Sequence, residues 1–178
     1  MSSFDSELST AEDSTDTILP SPSLLSSISH TLTVLVHNIN QDNYSKVLLL
    51  QSHSPFSAPQ VPPISIDAYL ERIFSYSKCE ESSLVSSLIY LDRISSDGNV
   101  LLTPYNIHRI LFTSVLVAIK YNEDRIHKMK YYASIAGVSE KELRILESVF
   151  LSLVRFNLYI NEKEYEEYSN CLLIQDKS

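Results

Sequence analysis

Two charged residues, Lys120 and Glu147, occupy positions where the surrounding pattern calls for apolar side chains. Glu147 lies one helical turn after Leu143 and one turn before Leu151, on a stripe that is otherwise apolar. Lys120 ends a long apolar stretch, one turn after Val117. A single lysine at a helix C-terminus ordinarily complements the helix dipole, and a single glutamate ordinarily lies on a solvated edge. Taken singly, both residues have a structural interpretation, so a functional one requires that they share a surface.

The sequence carries no pattern for metal, nucleophilic or phosphate-loop chemistry. Its five histidines are scattered without a His-x-x-x-His pair, and no serine lies in a Gly-rich nucleophile turn. Gly98 and Gly137 are the only glycines, which excludes a phosphate loop built from several glycines. Cys79 and Cys171 are isolated and lack the spacing of metal ligands. We therefore expect no catalytic residue, no metal site and no cofactor.

The stretch from Thr103 to Tyr121 is predicted to be the central helix of the fold. Thr103 is a candidate N-cap, and Pro104 suits the first helical position, where a missing N–H costs nothing. From residue 110 onward the stretch is apolar on almost every side, which is typical of a helix enclosed by others. Small side chains would allow neighbouring helices to approach closely; they are Thr113, Ser114 and Ala118.

Helical patterns flank this stretch on both sides, and strand alternation is not convincing anywhere. One pattern runs from Ser23 to about Asn40, a second follows Ser65 as N-cap, and a third starts near Glu80. A short helix should end at Gly137, which can adopt the left-handed conformation of a C-terminal cap. The architecture predicted is all-α, with five short helices between about residues 65 and 156.

The later helices carry their own start signals. Ser139 and Glu142 have the Ser-x-x-Glu spacing of a capping box, which opens a helix that should end near Phe156. Asn161 is a candidate N-cap for a short last helix. The aromatic side chains near this end are interpreted as packing against the last helix rather than as a recognition surface; they are Tyr159, Tyr165 and Tyr168.

Four regions follow from these patterns. Residues 1–22 form an acidic, Ser/Thr-rich segment expected to be disordered; 23–63 hold a helix and a Pro-rich linker; 64–160 form the main helical domain; and 161–178 form a C-terminal helix or tail. Tyr44 to Leu50 fits a short helix or an extended segment equally well. Ser21 and Ser54 each precede a proline, so both are candidates for proline-directed phosphorylation or for ordinary loop chemistry.

Composition narrows the class of protein. The 178 residues suffice for one domain with tails, and the formal net charge of −8 disfavours a nucleic-acid partner. The N-terminus lacks the basic and apolar regions of a secretory signal, and no apolar run reaches the length of a membrane span. We therefore expect an intracellular protein of the nucleus or cytoplasm, without a membrane partner.

Three spaced segments resemble the cyclin box, and the match covers residues 64–160. The first is Ile89-Tyr90-Leu91-Asp92-Arg93-Ile94, the second is Val117-Ala118-Ile119-Lys120-Tyr121-Asn122-Glu123, and the third is Leu143 to Ile160. The opening from Pro62 to Ile73, together with residues 106–109 and 131–138, is similar to the single-box P/U-type cyclins of phosphate signalling. The resemblance implies a five-helix cyclin box preceded by an extra helix.

The resemblance also implies a function: a regulatory subunit that binds and activates a cyclin-dependent kinase, without small-molecule substrate or catalysis of its own. In that family a lysine that ends the third box helix and a glutamate in the fifth face the mobile C-helix (PSTAIRE-type) of the kinase. The matching residues are Lys120 and Glu147. Residues of the same surface, again by matching position, are Val117, Tyr121, Glu123, Leu151 and Leu158.

One position departs from the cell-cycle members of the family. Asp92 matches an aspartate that pairs there with an arginine before the first box helix, but Pro63 and Ile64 occupy that arginine's place. Asp92 is therefore interpreted as structural, with Arg93, Arg72 or a neighbouring backbone group as its partner, since a buried carboxylate needs one. The resemblance therefore does not imply a substrate-docking patch of the cell-cycle type.

Two other classes of function remain open at this point. A helical adaptor or transcription-factor-type cyclin fold would bind a promoter factor or nucleic acid without activating a kinase. The acidic balance and the single box count against it. An unrecognised enzyme would need a triad, metal set or cofactor loop, and the sequence supplies none of these.

Overall fold

The structure, a computed structural model, describes residues 22–37, 54–96 and 100–175. These residues form seven helices and contain no strand. The helices are α1 (Pro22–His37), α2 (Ile66–Ser77), α3 (Glu81–Ser96), α4 (Ile107–Asn122), α5 (Met129–Ala136), α6 (Glu140–Leu153) and α7 (Glu162–Gln175). The prediction of an all-α fold is confirmed. Ser21 and the stretch from Tyr44 to Leu50 lie outside the described residues, as does most of the acidic N-terminal segment.

Helix α4 is the centre of the bundle. Every side chain from Ile110 to Ile119 is buried, and the helix contacts α2, α3, α5 and α6. The apolar pattern therefore identified the central helix correctly, because only a helix surrounded by others can bury all its faces. Lys120 reaches the surface in the last turn of the helix, which ends at Asn122.

The start of α4 differs from the prediction. The helix begins at Ile107 with Asn106 as N-cap, so the expected cap at Thr103 and first turn at Pro104 are wrong. The Asn106 side chain accepts a bond from the Thr103 backbone N–H (2.8 Å) and donates to the Leu101 carbonyl (2.8 Å). These bonds fold residues 103–106 into a separate turn, so the helix begins only at Ile107.

The other predicted helix boundaries are largely confirmed. The Ser65 and Ser139 hydroxyls accept bonds from the Ala68 and Glu142 backbone N–H groups at 3.2 and 3.1 Å. Gly137 closes α5 with φ 74°, and the Asn161 side chain caps α7. The exception is α6, which stops at Leu153 rather than near residue 156.

The Pro-rich segment before α2 is fastened to α4. Phe56 is buried in the core at 1% exposure, and the Ala58 N–H donates to the Tyr105 carbonyl at 2.8 Å. Arg109 donates to the Pro55 carbonyl (2.9 Å), and the His108 Nε2 donates to the Ile64 carbonyl (2.9 Å). Proline content alone did not indicate this anchoring. Helices α1 and α7 contact each other and lie against α2 and α3 respectively.

Candidate functional site

Lys120 and Glu147 meet on one surface. Lys120 lies in the last turn of α4 and Glu147 lies on α6, and the Lys120 Nζ donates to the Glu147 Oε1 in an ion pair. The ammonium side chain is 34% exposed and the carboxylate side chain is 14% exposed. Leu143, Leu146 and Phe150 bury the adjacent face of α6 and fix where Glu147 emerges. Two charges 27 residues apart in sequence therefore share one surface, as a functional interpretation requires.

Three other residues predicted for this surface have the exposure that a contact needs. Tyr121 is 52% exposed, while Leu151 and Leu158 are partly buried against the core. The Phe156 N–H donates to the Leu151 carbonyl at 2.9 Å, which brings the chain after α6 back beside that leucine. Charge and apolar area thus adjoin one another where α4 ends.

Two residues predicted for the surface have other surroundings. Val117 is 2% exposed and lies in the core, so its placement on the surface is wrong. The Glu123 carboxylate accepts bonds from the Glu80 N–H (3.0 Å) and the Ser83 hydroxyl (2.6 Å) at the start of α3. This carboxylate caps α3, and a contact between Glu123 and a partner stays a prediction.

Sequence reasoning missed exposed apolar side chains on α6 and in the segment that follows it. Phe156 is 70% exposed and Ile145 on α6 is 47% exposed. Tyr159 is 71% exposed, so the interpretation that its side chain packs against the last helix is wrong, whereas Tyr165 and Tyr168 lie on α7 itself and contact the core. The signal lies in the backbone: Arg155 and Phe156 have φ of 54° and 55°, a left-handed turn that pattern analysis does not reveal.

Residues 154–160, here called the exit segment, are bound to α3. The Tyr90 hydroxyl donates to the Leu158 carbonyl at 2.9 Å, and Arg93 donates to the carbonyls of Asn157 and Tyr159. Burial raises the pKa of Tyr90 to about 12, a shift that nearby Tyr121 increases and Arg93 opposes. The Tyr90 hydroxyl therefore keeps its proton near neutral pH and continues to donate the hydrogen bond to the Leu158 carbonyl.

Asp92 has a tyrosine partner rather than an arginine. The Tyr168 hydroxyl on α7 donates to the Asp92 Oδ2, and the Ser96 hydroxyl donates to its Oδ1 at 3.4 Å. The suggested pairing with Arg93 or Arg72 is wrong, because Arg93 turns to the exit segment and Arg72 donates to the Ser134 carbonyl (3.1 Å). Burial, with the bond to Asp92 second, raises the pKa of Tyr168.

The described residues contain no group of three His, Cys, Asp or Glu residues placed to hold a metal ion. Burial raises the pKa of the Cys79 thiol to about 12, so the thiol is protonated and unreactive at neutral pH. A cavity of about 250 Å³ between α1, α3 and α7 is lined mainly by leucines, with Asp92 and Tyr168 at its polar side. None of the helices in the described ranges is both long and apolar enough to cross a membrane.

The amino-acid sequence is similar to those of known cyclins. The sequence profile of the Cyclin family matches residues 16–158. The chain is 34% identical to cyclin-U4-1 of Arabidopsis thaliana over 158 residues, which cover 86% of this chain and 78% of that protein. It is 33% identical to cyclin-P3-1 of Oryza sativa subsp. japonica over 139 residues, 78% of this chain and 58% of that protein. Identity to the rice cyclin-P4-1 is 37% over 125 residues, 70% of this chain and 58% of the relative.

Proposed function

The chain belongs to the cyclin family, and from that premise we propose that it binds and activates a cyclin-dependent kinase as its non-catalytic regulatory subunit. The proposed contact is the mobile C-helix (PSTAIRE-type) of the kinase, held in its inward, active position. All catalytic groups on this proposal belong to the kinase, and the cyclin supplies a shaped surface that also helps to select substrates.

The observation that carries the proposal is the exposed ion pair of Lys120 and Glu147 beside apolar side chains. An amphipathic helix binds by laying its apolar face on such a surface, here offered by Tyr121, Leu151 and Leu158. A lysine ammonium has three donors, and Glu147 uses one, so the others can reach carbonyl or carboxylate groups of a partner. Two opposite charges at the edge of an apolar surface also fix the register of the bound helix.

The setting of the complex is part of the proposal. We place the heterodimer in the nucleus or cytoplasm, where its kinase partner acts, with phosphate signalling and cell-cycle control as candidate pathways on the strength of its P/U-type relatives. The net charge of −8 argues against nucleic acid as the partner.

Removal of either charge tests the proposal. Lys120→Ala and Glu147→Ala should each weaken binding to a recombinant PSTAIRE-type cyclin-dependent kinase at least about 30-fold, since truncating a desolvated interface charge costs about 2–5 kcal/mol. Kinase activity at fixed cyclin concentration should fall in parallel. Lys163→Ala is the matched control, because its pair with Glu167 is highly exposed on α7.

A charge exchange separates a docking role from a structural one. Lys120→Glu combined with Glu147→Lys keeps an attractive pair within the cyclin, so the thermal unfolding midpoint should stay near that of the wild type. Kinase binding should remain weak, because the partner would meet each charge in the wrong place. If the exchange restored binding to the wild-type level, the docking role would be refuted.

Binding of the wild-type chain to DNA at moderate salt, without affinity for any kinase, would favour the adaptor class instead.

A further inference from the structure

Backbone bonds from α3 hold the exit segment, in addition to the core contacts of Val154, Leu158 and Ile160. Its three consecutive carbonyls, those of Asn157, Leu158 and Tyr159, all accept bonds from α3. The donors are the fully buried Tyr90 and the guanidinium of Arg93, whose side chain is 18% exposed. The side chains of Phe156 and Tyr159 are 70% and 71% exposed, so they point away from the core.

The local sequence does not favour this conformation. Arg155 and Phe156 both lie in the left-handed region, which residues with a side chain rarely adopt. Two such residues in succession persist only where surrounding contacts hold them. Local bonds close the turn, from the Phe156 N–H to the Leu151 carbonyl and from the Asn157 N–H to the Val154 carbonyl. The bonds from α3 hold the residues that follow it.

Helix α7 completes this arrangement. The Glu164 carboxylate accepts two bonds from the Arg93 Nη2, at 2.8 and 2.9 Å, and its side chain is 29% exposed. The guanidinium also lies 5.9 Å from the centre of the Tyr90 ring. The side chains of Tyr90, Arg93 and Glu164, here called the carbonyl clamp, thus join α3, α7 and the exit segment.

We propose that the carbonyl clamp positions the exit segment for the kinase, which makes α7 a working part of the docking surface. This inference rests on the proposed function. Arg93 and Glu164 are positioning residues: they reach the partner only through Phe156, Leu158 and Tyr159. Because the clamp orders the segment in the free cyclin, little conformational freedom is lost when the kinase binds.

Neutralising the clamp from α7 is the mildest test. Glu164→Gln keeps the shape of the side chain but loses the charged, two-oxygen acceptor, so affinity for the PSTAIRE-type kinase should fall about threefold to tenfold. Glu167→Gln makes the same change on the exposed side of the same helix and should leave affinity within about twofold of the wild type. Arg93→Ala should weaken binding more than Glu164→Gln, and Arg93→Lys should restore only part of the loss, since an ammonium cannot reproduce the guanidinium fork.

Two readouts distinguish positioning from general destabilisation. Hydrogen exchange at the amides of Phe156 and Leu158 should accelerate in Arg93→Ala, while the amides of α4 stay protected. In a double-mutant cycle, Arg93→Ala should cost much less affinity when Phe156→Ala and Tyr159→Ala are already present, because the side chains being positioned are gone. A structural role alone would leave the cost unchanged.

The outcomes separate the two proposals. Suppose that the wild type binds the kinase and Lys120→Ala abolishes binding, while Glu164→Gln and Arg93→Ala bind as tightly as the wild type. The inference about the clamp is then overturned and the proposed function stands. A wild-type chain without kinase affinity overturns both. Unchanged amide exchange in Arg93→Ala also overturns the clamp, whatever the kinase result.

Discussion

At the scale of single residues, Lys120 and Glu147 are unequal partners. Glu147 is the more buried, at 14% side-chain exposure against 34%, so its carboxylate depends more on the ammonium than the reverse. Ion pairs with this much solvent contact contribute only about 0–1 kcal/mol to stability. Stability alone is therefore a weak reason for placing these two charges beside an apolar surface.

His108 is the residue whose surroundings predict a pH dependence. Burial lowers its pKa from the ordinary value of 6.5, and the bond to the Ile64 carbonyl opposes part of that shift. Since Nε2 is the donor, Nδ1 carries no proton; it is buried and has no hydrogen-bond partner among the described residues. A second proton would therefore enter a site that has no acceptor for it.

The sign of the effect follows from that lowered pKa. As pH falls below about 6.5 the unfolded chain takes up the proton before the folded one, so the free energy of unfolding decreases toward acid. His108→Gln keeps a donor for Ile64 but does not titrate, so it should remove part of this decrease. Urea unfolding of both proteins at about pH 7.5, 6.5 and 5.5 measures this decrease in the free energy of unfolding. Identical pH profiles for the variant and the wild type would contradict the assignment.

At the scale of elements, small polar side chains set the distance between α3 and α4. The Ser114 hydroxyl donates to the Ser87 carbonyl across the two helices at 2.6 Å, and both residues are buried. Hydroxyls on α3 also donate to carbonyls of their own helix; the Ser87 hydroxyl, for example, donates to the Leu84 carbonyl at 2.6 Å. Their polar groups are thus satisfied and their small volume permits close approach.

Substitution at position 114 separates the bond from the volume. Ser114→Ala should lower the free energy of unfolding by about 1 kcal/mol, the usual worth of one hydrogen bond. Ser114→Val should cost more, about 1–3 kcal/mol beyond the alanine variant, because its extra methyl groups force the helices apart. Urea unfolding compares the two. A valine variant as stable as the alanine variant would show that the contact is loose.

At the scale of the whole molecule, segments outside the five helices of the box region, α2 to α6, are bound to these helices by specific side-chain contacts. Phe56 anchors the segment before α2 in the core. Helix α7 is held against α3 by the ion pair of Glu164 with Arg93 and by the hydrogen bond from the Tyr168 hydroxyl to Asp92. The box therefore shares its stability with elements that flank it in sequence.

Phe56 measures how much the flanking segment contributes. Phe56→Ala should lower the free energy of unfolding by about 3–5 kcal/mol, the range for a large aromatic side chain removed from a core. Val61 in the same segment is 46% exposed, and Val61→Ala should change stability by less than about 0.5 kcal/mol. Thermal and urea unfolding of both variants provide the comparison. A small loss for Phe56→Ala would mean that the segment detaches without disturbing the box.

The sequence by itself determined the local features of this protein. Helix starts at Ser65 and Ser139, the helix end at Gly137 and the enclosure of α4 follow from capping chemistry and apolar periodicity, which act within a few residues. The same periodicity singled out Lys120 and Glu147 as charges on apolar stripes. Such patterns show which face of a helix is apolar, but not which neighbour covers it.

Tertiary structure alone decided the long-range partners. Tyr168 rather than an arginine binds Asp92, 76 residues away, and Glu123 caps α3 from 40 residues away, through contacts that no local pattern encodes. Val117 is buried because other helices surround α4, and Phe156 is exposed in the left-handed turn that follows α6. Each outcome depends on how whole helices are arranged, since that arrangement fixes which side chains remain in water.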